Sequence, residues 1–113
     1  MILPSKELLS EVLKLKVKDI YKIGSNPNFG ENTLLFSIVG NGELQDINIY
    51  ELIHKMKEYI LKNYQIMGTY YSTSICGWCC WIDDLGNKGI AKTEFDAVVE
   101  ACTWIHKELQ CQK

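Results

Sequence analysis

The segment that decides the fold is TEFDAVVEACTWIHKEL, residues 93–109. Its apolar side chains recur at intervals of three and four, the pattern of an amphipathic helix with one buried stripe. They are Phe95, Val98, Val99, Ala101, Cys102, Ile105 and Leu109. Thr93 stands at the expected N-cap, and Glu94 and Asp96 place negative charge in the first turn, where the N–H groups of a helix are unpaired. We therefore expect a closing helix whose stripe covers a sheet.

The residues before this helix supply the strands of that sheet. Residues 64–72, 75–83 and 88–92 are three strand-like segments, and turn residues at 72–74 and 83–87 separate them. Upstream, Asn48 followed by Glu51 at the third position marks the start of a helix that runs to Asn63. The second half of the chain therefore predicts a helix, three strands and the closing helix.

The first half of the chain shows the same order of elements. A helix capped by Ser5 is predicted to end near Lys14. Three strands follow at 16–23, 33–39 and 43–47, with a turn-rich loop at 24–32 and a hairpin signal at 40–42. Uneven alternation in the first strand indicates a bulge.

Together these elements predict an α+β protein with the order α-βββ-α-βββ-α, in which antiparallel sheet is layered against helices as in an α-β-α sandwich. A chain of 113 residues is expected to form a single domain, residues 1–113. We interpret 4–47 and 48–92 as a structural pseudo-repeat without visible sequence identity, followed by the closing helix 93–109.

Composition narrows the range of functions. All 12 basic residues are lysines, and the missing arginines lower the expectation of tight phosphate or carboxylate recognition. The sequence shows no signal-peptide pattern, and its longest apolar run is far shorter than a membrane span. We expect a cytoplasmic protein that does not enter the membrane, with its five cysteines reduced.

Residues 48–109 resemble the phage ABA sandwich domain, a family of small uncharacterised phage and prophage proteins. The matching features are the helix Tyr50-Glu51-Leu52-Ile53-His54-Lys55-Met56, the strand at 78–82, and Ala91-Lys92-Thr93 leading into a helix with Ala97, Ala101 and Cys102. The resemblance implies an α-β-α layered fold and a viral or prophage origin. It implies no catalytic residue.

The cysteine and histidine residues form the pattern that most suggests a metal or thiol site. Cys76 and Cys79 have the C-x-x-C spacing, and Cys102 and His106 lie four apart on the closing helix, so the four are formally a zinc set. In a regular strand, however, residues three apart point to opposite faces, so Cys76 and Cys79 would need a kink at Gly77 to converge. We expect packed cysteines and no cofactor, and keep zinc or thiol chemistry at these four residues as a third hypothesis.

Catalysis is not the favoured hypothesis. His54 and His106 are the only histidines, and neither has a nucleophile beside it in the sequence. No glycine-rich phosphate loop or nucleophile elbow is present. We therefore assign no catalytic residue and favour a protein that is not an enzyme.

Binding of RNA is the alternative hypothesis. The order helix, three strands, helix over 48–109 matches the double-stranded RNA-binding fold in outline, and that module grips phosphates at the start of its second helix. Here that position reads Thr93-Glu94-Phe95-Asp96. Acidic residues there oppose phosphate binding, so a nucleic-acid-binding accessory protein comes second.

The favoured hypothesis is a non-enzymatic protein-interaction module. Trp104 is expected on the outer side of the closing helix, with the small residues Ala97 and Ala101 beside it, where a partner can approach closely. Tyr71 and Trp81 are further interface candidates, because aromatic residues in the second sheet indicate that both of its faces are covered. Either the first half of the chain or a second copy of the molecule would cover the second face. We expect the second copy, and therefore a homodimer.

Overall fold

A computed structural model describes residues 4–21, 35–40 and 43–111 of the chain. The order of elements is α-βββ-α-βββ-α, which confirms the predicted α+β class and order. The elements are α1 (Lys6–Leu13), β1 (Val17–Tyr21), β2 (Leu35–Gly40), β3 (Glu43–Asn48), α2 (Ile49–Asn63), β4 (Met67–Ser72), β5 (Gly77–Ile82), β6 (Asn87–Ala91) and α3 (Glu94–Cys111). None of the described helices is both long and apolar enough to cross a membrane.

The chain divides into two compact units, and the boundary between them falls inside helix α2. The N-terminal unit is Ser5–Lys55, and the C-terminal unit is Met56–Lys113 with Met1–Pro4. Each unit contains one three-stranded antiparallel sheet, in the orders β1-β2-β3 and β4-β5-β6. The single domain that the sequence analysis expects for residues 1–113 stays a prediction.

In the N-terminal unit, local hydrogen bonds set the ends of the helices. The Ser5 hydroxyl accepts a bond of 3.1 Å from the Leu8 N–H, which confirms the predicted cap of α1. Asn48 caps α2 in the same way, accepting at 2.7 Å from the Tyr50 N–H. The register of β1 on β2 shifts between Val17 and Asp19, as the predicted bulge requires.

Some expectations for this unit fall outside the described residues. They are the loop at 24–32, the turn residues 41–42, and residues 22–23 and 33–34 at the ends of the strands predicted at 16–23 and 33–39. The antiparallel pairing of β2 with β3 is described, and it places Gly40 opposite Glu43.

In the C-terminal unit, α3 begins where the sequence predicts. The Thr93 hydroxyl accepts a bond of 3.1 Å from the Asp96 N–H, and the Thr93 carbonyl accepts one from the Ala97 N–H. The predicted stripe is buried from Phe95 to Ile105. Asp96 and Ala97 are buried as well, so the buried surface of α3 is wider than the periodicity indicates.

Candidate interaction surface

The two faces of the β4-β5-β6 sheet follow from the register of its strands. Residues directly opposite one another in an antiparallel sheet point to the same face. Cys80 lies opposite Thr69 on one side and Gly89 on the other. Cys79, one residue earlier, lies opposite Tyr70 and Ile90 on the other face. Successive cysteines of β5 therefore point in opposite directions.

Helix α3 covers the face that carries Cys80, which we call the covered face. A side chain at Gly89 would overlap the carbonyl oxygen of Ala97 and crowd the N–H of Ala101. Because Gly89 has no Cβ, the backbones of β6 and α3 can come into contact. The small side chains of Ala97 and Ala101 allow the same close approach from the helix. Both alanines are fully buried.

This contact corrects one expectation from the sequence. Ala97 was expected on the outer side of the closing helix beside Trp104, and Ala101, although counted in the buried stripe, was expected to leave room there for a partner to approach. Instead they make room for β6. A pair of small residues four apart on α3 and a glycine inside a strand were the sequence signal for this contact.

A polar cluster lies on the covered face where β4, α2 and α3 meet. The Thr69 hydroxyl donates a bond of 2.6 Å to the Glu94 carboxylate, and the ammonium of Lys57 lies 3.5 Å from the same oxygen. Both charged side chains are about one-third exposed. Glu94 thus links the start of α3 to the strand and to α2.

The opposite face, which we call the open face, has a different composition. Its paired positions carry Gly68, Tyr70, Ser72, Gly77, Cys79, Trp81, Asn87 and Ile90, and none of these residues is charged. The charged residue of the three strands, Lys88, lies at the register shift of β6, and its ammonium contacts the Trp104 ring of α3. Tyr70 is 43% exposed and Ile90 52% exposed. An antiparallel sheet that faces water on one side normally alternates apolar and polar residues, with the polar ones outward. On this open face, aromatic and aliphatic side chains stand where polar ones are expected.

Contacts within the open face hold its aromatic side chains in place. The ring of Trp81 lies over Gly68, where a Cβ would come within 2.6 Å of the indole. The Asn87 side-chain amide donates a bond of 3.0 Å to the Tyr70 hydroxyl. Cys79 is fully buried between Tyr70 and Ile90. The surface is therefore largely formed before any partner binds.

The direction of the backbone N–H groups in this sheet determines which of them are left for partners outside it. The Asp83 N–H donates to the Ile66 carbonyl, so N–H groups of β5 at 79 and 81 also point toward β4. The same alternation directs the N–H of Ile90 away from the sheet, and it donates a bond of 2.8 Å to the Glu100 carboxylate. A carboxylate of α3 thus occupies the outer edge of β6.

A groove of about 610 Å³ lies beside this edge, between β6 and α3. Its lining combines the apolar Ile90, Val99 and Trp104 with polar and charged side chains of both elements, Asn87, Lys88, Glu100, Thr103 and Lys107. The ammonium of Lys88 lies 4.6 Å from the centre of the Trp104 ring, a cation–π distance. Two lysines and one hydrogen-bonded carboxylate leave the groove with little net charge.

The structure does not bring the four residues of the zinc hypothesis together. Cys76 lies in an exposed turn with a left-handed backbone, and its thiol donates to the Thr73 carbonyl. Cys79 points to the open face, whereas Cys102 is buried on α3 and donates at 3.5 Å to the Met56 carbonyl. His106 lies 3.1 Å from the Gln110 side chain. Among the residues that the structure describes, no group of three or more His, Cys, Asp or Glu side chains could hold a metal ion.

The buried thiols are also poorly suited to nucleophilic chemistry. Burial raises the pKa of Cys80 to about 11, although the nearby Lys57 acts in the opposite direction. Burial likewise raises the pKa of Cys102, and the neighbouring Cys80 adds to that effect. A reactive thiol needs the opposite environment, one that stabilises the thiolate. Both groups are neutral thiols at physiological pH.

The three interface candidates lie in three different settings. Trp81 is half-buried on the open face. Tyr71 is 52% exposed at the edge strand β4 and makes an edge contact with Trp78 at 6.0 Å. Trp104 is half-buried, with Tyr64 at 6.1 Å and Lys88 over its ring. Contacts within the chain thus use much of the Trp104 surface. Tyr70 was counted among the aromatic residues of the sheet but not as an interface candidate, and Ile90 was missed.

The start of α3 lacks the features that the RNA hypothesis requires. The Glu94 carboxylate is held there by Thr69 and Lys57, and Asp96 is buried. A phosphate approaching these N–H groups would meet negative charge. This geometry does not favour a double-stranded RNA-binding site.

Comparisons of the chain with protein-family models, with curated proteins and with solved structures gave no match. The resemblance to the phage ABA sandwich domain therefore stays a prediction from the sequence.

Proposed function

We propose that this chain is a non-enzymatic protein-interaction module that binds its partner through the open face. One observation carries the proposal: the sheet face opposite α3 bears exposed Tyr70 and Ile90 and no charged side chain. Charged residues are depleted and aromatic residues enriched at the centres of protein interfaces. The open face has that composition.

The fixed positions of Trp81 and Tyr70 support the same proposal. The indole of Trp81 packs over Gly68, and the side-chain amide of Asn87 donates a hydrogen bond to the Tyr70 hydroxyl. Side chains that are already ordered lose less conformational entropy when a partner binds. Large, rigid aromatic rings are therefore favourable anchors for an interface.

The proposed setting of this function is the cytoplasm of a cell that carries a phage or prophage. The resemblance in sequence supports the viral origin, and the five free cysteines suit a reducing compartment. Zinc or thiol catalysis has less support, because the sheet separates Cys79 from Cys102 and burial keeps Cys80 neutral.

A pair of matched variants tests the proposal. Ile90→Lys places a charge on the open face, whereas Leu61→Lys makes an equivalent change on α2, where Leu61 is 50% exposed. Partners captured by the wild-type protein from its own cells should be retained by Leu61→Lys and lost by Ile90→Lys. Equal capture by the two variants, with both folded by circular dichroism, would show that the open face is not the binding surface.

A further inference from the structure

The outer edge of β4 is a second feature of the C-terminal unit that points to a partner. Because the N–H groups of Asp83 and the alternate residues of β5 bond to β4, the residues of β4 that face β5 are Gly68, Tyr70 and Ser72. Met67, Thr69 and Tyr71 therefore direct their N–H and C=O groups out of the sheet. No described residue bonds to those groups.

The two edge strands of this sheet, β6 and β4, differ in how well they are protected against pairing with a strand of another molecule. Strand β6 has a register shift next to Lys88, carries that lysine, and has its outward N–H at Ile90 bonded by Glu100. A bulge, an edge lysine and a covering side chain are the devices that prevent strands from pairing with other molecules. Strand β4 reads Met-Gly-Thr-Tyr-Tyr-Ser, with no charge and no proline. Within the described part of the chain, the β6 edge is protected against pairing with another strand and the β4 edge is not.

The pattern on β4 is complementary to itself. If two copies pair antiparallel about a two-fold axis at Thr69, Thr69 lies opposite its own counterpart and Met67 lies opposite Tyr71. Each outward residue then lies in a hydrogen-bonded pair, in which the two opposite residues exchange two backbone hydrogen bonds. The half-exposed ring of Tyr71 would pack on the thioether of Met67.

The size of the open face supports a second copy rather than a single chain as the binding unit. Three strands about 4.8 Å apart and about 20 Å long give a flat area of about 290 Å². A standard interface buries about 800 Å² on each partner. Pairing β4 with β4 makes one six-stranded sheet with about 580 Å² of uncharged area, about three-quarters of the standard size.

We infer that two copies of this chain associate through antiparallel β4–β4 pairing centred on Thr69, which joins their open faces into one surface. The inference deepens the proposed function and rests on it for the use of the joined surface. The pairing itself depends only on the edge of β4. A strand edge is a small contact, so we expect association at about micromolar to millimolar concentration.

Residue-resolved amide exchange in the full chain at several concentrations tests the pairing. The amides of Met67, Thr69 and Tyr71 should exchange about tenfold or more slowly at high concentration, in parallel with a dimer mass in sedimentation. The amides of Gly68 and Tyr70 are bonded within the sheet and should not change. A monomer mass up to about 1 mM, or a dimer in which the three outward amides do not respond, would overturn the inference.

Matched lysine substitutions separate this inference from the proposed function. Tyr71→Lys puts a charge on the β4 edge, and Tyr50→Lys is the same change at an exposed tyrosine of the N-terminal unit. Association should weaken about tenfold or more in Tyr71→Lys alone. Ile90→Lys should leave it intact while losing the captured partner. Equal dimerisation of Tyr71→Lys and Tyr50→Lys would refute the pairing, whatever the capture experiment shows.

Discussion

Glu100 accepts a 2.8 Å hydrogen bond from the backbone N–H of Ile90, so a side chain of α3 closes the outer edge of β6. The same residue, Ile90, presents its side chain on the open face. Backbone and side chain of one residue thus have separate roles. The backbone N–H is bonded within the chain, whereas the residue as a whole is 52% exposed.

Removing the Glu100 carboxylate should expose the Ile90 amide. In Glu100→Ala we expect exchange of that amide to become about tenfold faster or more, with a loss of about 1 kcal/mol in the free energy of unfolding. Glu100→Gln keeps an acceptor oxygen and should retain most of the protection. Unchanged exchange of Ile90 in Glu100→Ala would show that the bond does not form in solution.

Gly89 should be intolerant of any side chain. Gly89→Ala places a Cβ against the carbonyl oxygen of Ala97, and neither backbone can move without separating β6 from α3. We expect a loss of about 3 kcal/mol or more in denaturant unfolding, or failure to fold. Gly77→Ala is the milder comparison, because its Cβ would lie 3.0 Å from the Ala91 carbonyl oxygen, a tight contact that a shift of a few tenths of an ångström relieves. A similar small effect of both changes would contradict the close packing.

The thiols should fall into two classes of reactivity. Cys76 and Cys111 are exposed, whereas Cys79, Cys80 and Cys102 are buried. A thiol reagent at neutral pH should therefore modify two of the five cysteines rapidly in the folded protein and all five after unfolding. Cys76→Ser should reduce the rapid class to one. Rapid reaction at a third site would mean that the core around β5 opens readily.

Stability should decrease in alkaline solution because of Cys80. Burial raises its pKa from an ordinary value of 9.0 to about 11, so between these values the unfolded chain releases a proton that the folded chain retains. Rising pH then favours unfolding, and the contribution is fully present only below about pH 9. Unfolding free energies of wild type and Cys80→Ala should converge from pH 9 to 11. A constant difference would argue against the buried neutral thiol.

The sequence predicts the elements better than it predicts their contacts. Ser5 and Thr93 identify helix starts because the cap is a bond between residues three apart. The strand predicted at 75–83 contains all of β5, because apolar residues bounded by turn residues are a signal within one short segment. Both inferences depend only on local geometry.

Contacts between elements were the part that could not be predicted. Ala97 was left out of the buried stripe of α3 because periodicity locates the centre of such a stripe and not its width. The bond from Ile90 to Glu100 depends on how α3 crosses β6, which no spacing along the chain specifies. For the same reason, the open face could be recognised only once the covered face was known.

The central claim is that the open face is the interaction surface, and site-specific photo-crosslinking in the protein's own cells tests it most directly. A photoreactive residue at Ile90 is compared with one at Leu61, since the two side chains are 52% and 50% exposed. The account predicts discrete crosslinked protein adducts from position 90 and none from position 61. Adducts from position 61 alone, or the same adducts from both, would contradict it.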